Sequence, residues 1–179
     1  PDLGIHGFLC PAHVSAVIGC DAYRFLAEER RVPCVVTGFE PADILQGVAM
    51  LARQVTEGRS TVENEYGRFV TRTGNSKAQE LLSRVFIPAD TAWRGLGVLP
   101  RSGLEIAEEF REFDAEKAVP VRVEEPREPA GCRCGEVLTG KIAPADCPLF
   151  ASACTPEQPV GACMVSSEGS CAAAYKYGQ

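Results

Sequence analysis

The first part of the chain alternates short apolar runs with stretches of helical periodicity. Residues 3–9 and 32–39 have the length of buried strands, and the second run is rich in β-branched side chains. A helical pattern between them extends to about Arg31. Gly19 should divide it, because glycine inside a helix costs about 1 kcal/mol relative to alanine. Strand and helix signals in this order predict an α/β fold with a mostly parallel sheet and flanking helices.

The helix that follows the second strand has the clearest pattern. Pro41 suits a first helical position, and Gly58 supplies an end. Between them an apolar stripe recurs at helical spacing, at Ile44, Val48, Leu51 and Val55. Residues 61–66 (TVENEY) then predict another strand, and residues 78–86 (AQELLSRVF) another helix. Asn75 or Ser76 should cap that helix.

The remainder of the chain predicts two further regions. Residues 93–104 are rich in glycine, and Ser102 with Glu105 fits a capping box. A helix should follow, with Ile106, Phe110 and Phe113 on one face. Residues 119–131 contain three prolines and predict a linker. We therefore expect an α/β domain over 1–92, a connecting helix and linker over 93–130, and a cysteine-rich, mainly helical or irregular region over 131–179.

Charge and hydropathy narrow the classes of partner. The net charge is −6 and the chain has no block of basic residues, which argues against nucleic acid as a binding partner. No apolar run approaches the roughly 20 residues that span a bilayer, so we expect no membrane partner. The chain starts without Met or a signal peptide, which predicts a fragment or processed form and a cytoplasmic location.

Nine cysteines are the strongest chemical signal. The number is odd, so complete pairing within one chain is impossible. Three are scattered early, at Cys10, Cys20 and Cys34, and six fall late, at Cys132, Cys134, Cys147, Cys154, Cys163 and Cys171. The late spacing matches neither a zinc ribbon nor a ferredoxin run. It favours a metal or redox site over structural disulfides or unrelated buried thiols, and does not decide which metal.

Other residues have a structural and a functional interpretation. His13, in the CPAH stretch 10–13, either caps locally or belongs to a functional loop at the end of a strand. Glu40 and Asp43 most simply stabilise a helix N-terminus. Glu168 is either a solvated turn carboxylate or a proton carrier beside a redox centre. The chain has two histidines, which excludes a histidine-rich metal site.

Several long stretches resemble one known family. They are GFLCPAHVSAVIG (7–19), PCVVTGFEPADILQG (33–47), VENEYGRFV (62–70), CRCGEVLTG (132–140) and the cysteine-rich residues 147–177. Together they are similar to the C-terminal half of the hydrogenase formation protein family HypD. The resemblance implies that residues 1–92 are part of a larger α/β region whose N-terminal half is missing.

The resemblance also implies a function. Members of this family act in the maturation of [NiFe] hydrogenase, carry a [4Fe–4S] cluster, and bind a small HypC-type chaperone. They serve as the scaffold on which an Fe(CN)₂CO group is built, with cyanide from a HypE-type partner. The iron that bears CN and CO is held transiently by the full-length protein. This chain would then be a scaffold with a redox-active centre rather than a stand-alone enzyme.

The family's cluster surroundings resemble ferredoxin:thioredoxin reductase, in which a redox-active disulfide lies against the cluster. That analogy implies cluster ligands at Cys132, Cys147, Cys154 and Cys171, and a redox disulfide between Cys134 and Cys163. A rival set takes Cys147, Cys154, Cys163 and Cys171 as ligands and leaves Cys132 and Cys134 as the redox pair. His13 and Glu168 are candidates for contributing to the assembly site. Two other functions remain open: an Fe–S thiol–disulfide oxidoreductase of the reductase type, and a zinc-stabilised binding module.

Overall fold

The computed structural model describes residues 5–119 and 129–178. Within these ranges the chain forms two compact units, the first Ile5–Val85 and the second beginning at Phe86. Residues 120–128, which hold most of the predicted linker, and residues 3 and 4 of the first predicted strand lie outside the described ranges. The described part of the chain contains no helix with the length and apolar character needed to cross a bilayer.

A parallel three-stranded sheet forms the centre of the first unit, which confirms the predicted α/β class. Strand β1 (Phe8–Pro11) pairs with β2 (Cys34–Thr37), and β2 pairs with β3 (Val62–Asn64). All four residues of the central strand β2 are buried. Strand β1 begins at Phe8, so the strand predicted over residues 3–9 is wrong in its start.

The first unit contains four helices. They are α1 (Ala12–Ile18), α2 (Arg24–Glu28), α3 (Pro41–Thr56) and α4 (Ser76–Val85). Gly19 ends α1 as predicted, because its φ of +81° lies in the left-handed region that favours glycine. A 3-10 turn, Cys20–Tyr23, then leads into α2. The Asn75 side chain caps α4 by accepting a hydrogen bond from the Ala78 amide at 3.0 Å.

Helix α3 has the predicted bounds but buries a different face. Its apolar stripe is largely exposed, whereas Asp43, Gly47 and Gln54 are buried against the unit. Gly47 allows this close approach, because a Cβ there would lie 3.0 Å from the Thr37 Cβ. Gln54 accepts hydrogen bonds from the amide and hydroxyl of Thr61 at 2.9 and 3.0 Å. Tight backbone packing and buried hydrogen bonds therefore decide the orientation of this helix.

The second unit begins with an antiparallel hairpin that the sequence pattern did not predict. Strand β4 (Phe86–Trp93) pairs with β5 (Gly97–Ile106), so the helix expected after Ser102 is wrong. The Ser102 hydroxyl accepts a hydrogen bond from the Trp93 indole at 2.7 Å and donates to the Leu99 carbonyl, and thus caps no helix. A 3-10 helix, Glu108–Phe113, and the short helix α5 (Ala115–Ala118) follow.

The cysteine-rich region is helical and irregular, as predicted. It contains α6 (Cys134–Leu138), a 3-10 turn (Pro144–Asp146), α7 (Ala162–Val165) and α8 (Ser170–Tyr177). Its core is built largely from thiol and thioether side chains, together with small apolar ones. The buried members are Cys134, Val137, Cys154, Cys163, Met164, Cys171 and Ala172.

Candidate functional site

All six late cysteines line one small cavity inside the second unit. Five of them are buried, and Cys132 is half-buried. The remaining walls are apolar, formed by Leu149, Phe150 and Met164 with the backbone of Gly161. We call this space the six-cysteine cavity. Thiols separated by up to 39 positions in the sequence therefore meet in one apolar enclosure.

Short helices and turns position these thiols at the cavity. Cys134 is the first residue of α6, Cys163 lies in α7 and Cys171 in α8. Cys147 directly follows the 3-10 turn Pro144–Asp146. Cys154 is held by an isolated bridge to Phe150, and its sulfur accepts a hydrogen bond from the Val160 amide at 3.3 Å. Five of the six thiols are thus positioned by their local backbone.

Cys163 contacts two other thiols in the cavity. Its Sγ donates a hydrogen bond to the Sγ of Cys171 at 2.9 Å. Burial, followed by the hydrogen bond with Cys171, raises the pKa of Cys163 to about 11. Burial, followed by a hydrogen bond with Cys163, also raises the pKa of Cys134. Burial raises the pKa values of Cys132 and Cys171 as well, so these thiols are neutral near pH 7 unless a cation compensates the thiolate.

The donor set fits an iron–sulfur cluster. Thiolates are the usual protein ligands of [4Fe–4S] clusters, which need four of them, and six are available around one apolar cavity. Binding to metal deprotonates a thiol outright and so offsets the cost of burying the thiolate. Among residues 5–119 and 129–178, no three His, Cys, Asp or Glu side chains are grouped so as to hold a single metal ion.

Gly161 sets the distance between the backbone and the sulfur of Cys132. A Cβ at this position would lie 2.6 Å from the Cys132 Sγ and 3.5 Å from the Cys134 Cβ. The first distance is shorter than atoms tolerate, so any side chain here would displace the thiol. The sequence interpretation did not single out this glycine, although it directly precedes the short helix that carries Cys163.

His13 lies at the carboxyl edge of the parallel sheet, where α/β proteins usually bind ligands. It is exposed in the first turn of α1, directly after β1. Its ring centroid is 5.3 Å from that of Phe39, which follows β2 and is 64% exposed. His13 therefore lies at the end of a strand, in a helix rather than in the expected loop, beside an aromatic residue that follows the adjacent strand.

Asp43 does more at this edge than stabilise a helix end. Its carboxylate accepts a hydrogen bond from the Arg68 guanidinium at 2.6 Å, and Glu40 lies 3.8 Å from the same guanidinium. That guanidinium also stacks over the Tyr66 ring, 3.8 Å from its centroid. Arg68, followed by a hydrogen bond with Glu40, holds the pKa of Asp43 below its usual range. Sequence reasoning missed the roles of Tyr66 and Arg68: Tyr66 is the last residue of the predicted strand 61–66, and both residues lie beyond the observed β3.

Glu168 occupies an exposed turn between α7 and α8. Its backbone amide donates a hydrogen bond to the Ser166 hydroxyl at 3.2 Å. The side chain is not among the residues that line the six-cysteine cavity. The early cysteines are separate from that cavity too: Cys10, Cys20 and Cys34 belong to the core of the first unit.

The fold and the site define an α/β protein with an appended thiol-rich site. Comparison with known proteins identifies its kind: the HypD family model, described as "Hydrogenase formation hypA family", matches residues 1–178. The chain belongs to the HypD family, and the resemblance inferred from its sequence is confirmed.

Similar proteins come from bacteria and an archaeon. The hydrogenase maturation factor HypD of Cupriavidus necator is 50% identical over 176 residues, which are 98% of this chain and 46% of that protein. HypD of Escherichia coli K12 is 50% identical over 184 residues, covering 100% of this chain and 48% of its own length. A putative hydrogenase expression/formation protein of Methanocaldococcus jannaschii is 42% identical over 173 residues, with 97% and 48% covered. The chain spans about half the length of these relatives.

Proposed function

We propose that this chain is a scaffold and redox component in the maturation of [NiFe] hydrogenase. The observation that carries the proposal is the convergence of six thiols on one apolar cavity in a member of the HypD family. The protein would support assembly of an Fe(CN)₂CO group together with a HypC-type chaperone and a HypE-type cyanide donor. The iron that bears CN and CO is cargo in this proposal.

We assign the [4Fe–4S] cluster to residues 131–179, with Cys132, Cys147, Cys154 and Cys171 as ligands. All four sulfurs border the six-cysteine cavity, and burial of these thiols favours metal binding over free thiolates. When bound, the cluster supplies single electrons. The hydrophobic shell of Leu149, Phe150 and Met164 limits solvent access to it.

Cys134 and Cys163 form the redox-active pair in this assignment. An interaction between their thiols contributes to the pKa shifts of both residues, which supports their being close enough to form a pair. The rival pair, Cys132 and Cys134, would need a disulfide across a single intervening residue, which is strained. Oxidation of the pair removes two electrons and two protons and forms one S–S bond, and reduction restores two thiols.

The carboxyl edge of the parallel sheet is our candidate for the part of the assembly site that this chain supplies. His13 presents an exposed imidazole there, beside the exposed ring of Phe39. Imidazole can take or give a proton near neutral pH or bind iron. Glu168, in its exposed turn, is the second candidate. Replacement of His13 by Ala should abolish maturation while leaving cluster iron unchanged.

Anaerobic purification of the protein that carries this chain tests the proposal. Iron with acid-labile sulfide, a broad absorption band at the visible–ultraviolet edge, and co-purification of a HypC-type chaperone are the expected results. A colourless zinc protein would overturn the cluster and favour a zinc-stabilised module. A brown protein that binds no chaperone but reduces protein disulfides would favour the alternative, a thiol–disulfide oxidoreductase resembling ferredoxin:thioredoxin reductase.

The redox pair has its own test. Cys134→Ser and Cys163→Ser should retain the cluster and lose maturation activity. If both variants kept full activity, the redox role of the pair would be wrong. Cys20→Ser is the matched control, because this thiol is also buried but belongs to the core of the first unit.

A further inference from the structure

A second, open cavity lies beside the six-cysteine cavity in the second unit. Its volume is about 590 Å³, within the range of small-molecule sites. Leu96 and Leu99 from the hairpin give it an apolar side, and polar groups around α6 give it a charged side. We call this space the basic cavity.

The two cavities share a wall. Cys132, Cys134 and Gly161 line both of them. Cys132 is also the least buried of the six thiols. Because Gly161 has no side chain, only its backbone separates the two cavities at this position. A molecule in the basic cavity therefore lies next to Cys132 and Cys134.

The charged side chains of the basic cavity are mainly cationic. Among the described residues that line the cavity, Arg94, Arg133 and Lys141 are the cations and Glu136 is the one carboxylate. Arg133 already neutralises that carboxylate through two hydrogen bonds, one of 2.9 Å from its Nη2. Arg94 donates from Nη2 to the Val160 carbonyl at 3.2 Å, and Lys141 makes no ion pair with any described residue. Among the described lining residues, two positive charges are thus left to attract an anionic ligand.

We propose that the basic cavity binds a small carboxylate-bearing disulfide or thiol and presents it to Cys134. This inference rests on the proposed function, because it uses the Cys134–Cys163 pair. The cations hold the carboxylates, the leucines contact the aliphatic part, and the shared wall places the ligand's sulfur against the thiols. The size of the cavity favours a small molecule over a protein segment.

The exchange is balanced. Cys134 loses its thiol proton and attacks one sulfur of the ligand's disulfide, which forms a mixed disulfide and releases one ligand thiolate that takes up the proton. The Cys163 thiolate then attacks the Cys134 sulfur, forms the internal disulfide and releases the second ligand thiolate. The ligand gains two electrons, and the two protein thiols supply the two protons that its thiolates take up. In reverse, two ligand thiols reduce the pair.

Binding is tested separately from chemistry with S-methylglutathione, which bears two carboxylates and cannot exchange. Calorimetric titration into the anaerobically purified holoprotein should show saturable binding that weakens with ionic strength. Lys141→Glu should weaken it about tenfold, since the charge that concentrates the ligand is reversed. Lys117→Glu, an exposed cation outside this cavity, is the control and should leave binding unchanged. Absence of binding, or equal affinity in both variants, overturns the cavity as a site.

Exchange is tested with glutathione disulfide and with cystamine, a cationic disulfide. The rate of protein oxidation by each reagent is divided by the rate at which that reagent oxidises free cysteine, which corrects for intrinsic reactivity. The oxidised cysteines are identified by mass spectrometry after the remaining thiols have been trapped. Glutathione disulfide should oxidise Cys134 and Cys163 about tenfold faster than cystamine, and Arg94→Glu with Lys141→Glu should reverse the preference. Binding of S-methylglutathione without any oxidation of Cys134 overturns the redox pair on which the inference rests.

Discussion

The Sγ of Cys163 donates a hydrogen bond to the Sγ of Cys171 at 2.9 Å, and an interaction with Cys163 contributes to the raised pKa of Cys134. One thiol therefore has two partners that the proposed assignment places in different roles. The two assignments disagree about Cys163 itself, which is a redox thiol in one and a ligand in the other. Substitution at this position separates them.

We expect Cys171→Ser and Cys132→Ser to lose most of the cluster iron, and Cys163→Ser to retain it. A ligand thiolate is required for affinity, whereas a redox thiol beside the cluster is not. The contents of iron and acid-labile sulfide per chain, measured anaerobically, distinguish the two ligand sets. Loss of iron in Cys163→Ser with full iron in Cys132→Ser would instead support the rival ligand set.

Gly161→Ala should lower the cluster content. The new Cβ would lie 2.6 Å from the Cys132 Sγ, so the thiol must move away. Because the thiol end can shift, the loss of stability should remain within about 1–3 kcal/mol, as for other overpacked sites. Gly67→Ala is the control, since its Cβ would come no closer than 3.9 Å to Asn64. Unchanged iron in Gly161→Ala would argue against Cys132 as a ligand.

Gln54→Ala should destabilise the first unit by about 2 kcal/mol, because two hydrogen bonds to Thr61 are lost in a fully buried position. Urea unfolding followed by circular dichroism measures the change. Gln46→Ala, on the exposed face of the same helix, should change the free energy of unfolding by less than about 0.5 kcal/mol. Equal effects of the two substitutions would contradict the observed orientation of α3.

The Asp43–Arg68 pair should give the first unit a pH-dependent stability. Because Arg68 lowers the pKa of Asp43 in the folded state, the contribution is present above the unfolded value of about 3.9. It is lost as the pH falls through the lower folded value. We therefore expect Asp43→Asn to be less stable than the parent at pH 7 and equally stable in strong acid. Thermal unfolding from pH 2 to pH 7 tests this.

Glu28→Gln is the control for this pH series. Glu28 pairs with Arg24 on the surface, with both side chains more than half exposed. Such pairs contribute little in solvent. Its unfolding midpoint should follow that of the parent at every pH. A constant offset between Asp43→Asn and the parent across the whole range would contradict a role for the charge of Asp43.

Local sequence signals predicted the structure correctly where a short stretch of sequence contains the physical cause of that structure. Pro41 and Gly58 mark the ends of α3, and Gly19 ends α1, because each constrains its own backbone. Asn75 caps α4 for the same reason. These features were predicted, as was the parallel α/β order of the first unit.

Local signals failed where distant residues compete for the same segment. Ser102 and Glu105 fit a capping box, yet pairing of Phe86 with Ile106 and of Trp93 with Gly97 makes this segment a strand. Likewise, the apolar stripe of α3 indicates a helix but not which side packs on the sheet. Tertiary hydrogen bonds and close backbone contacts outweigh local propensity in both cases.

The sequence by itself determined the family and the α/β order of the first unit, and it singled out the six late cysteines. Only the tertiary structure decided that these thiols meet in one apolar cavity, that the sulfurs of Cys163 and Cys171 hydrogen bond, and that a basic cavity shares their wall. The physical reason is that a sequence directly gives the type of each residue and the spacing between residues along the chain. Which sulfurs touch depends on how α6, α7 and α8 pack, and no local pattern encodes that packing.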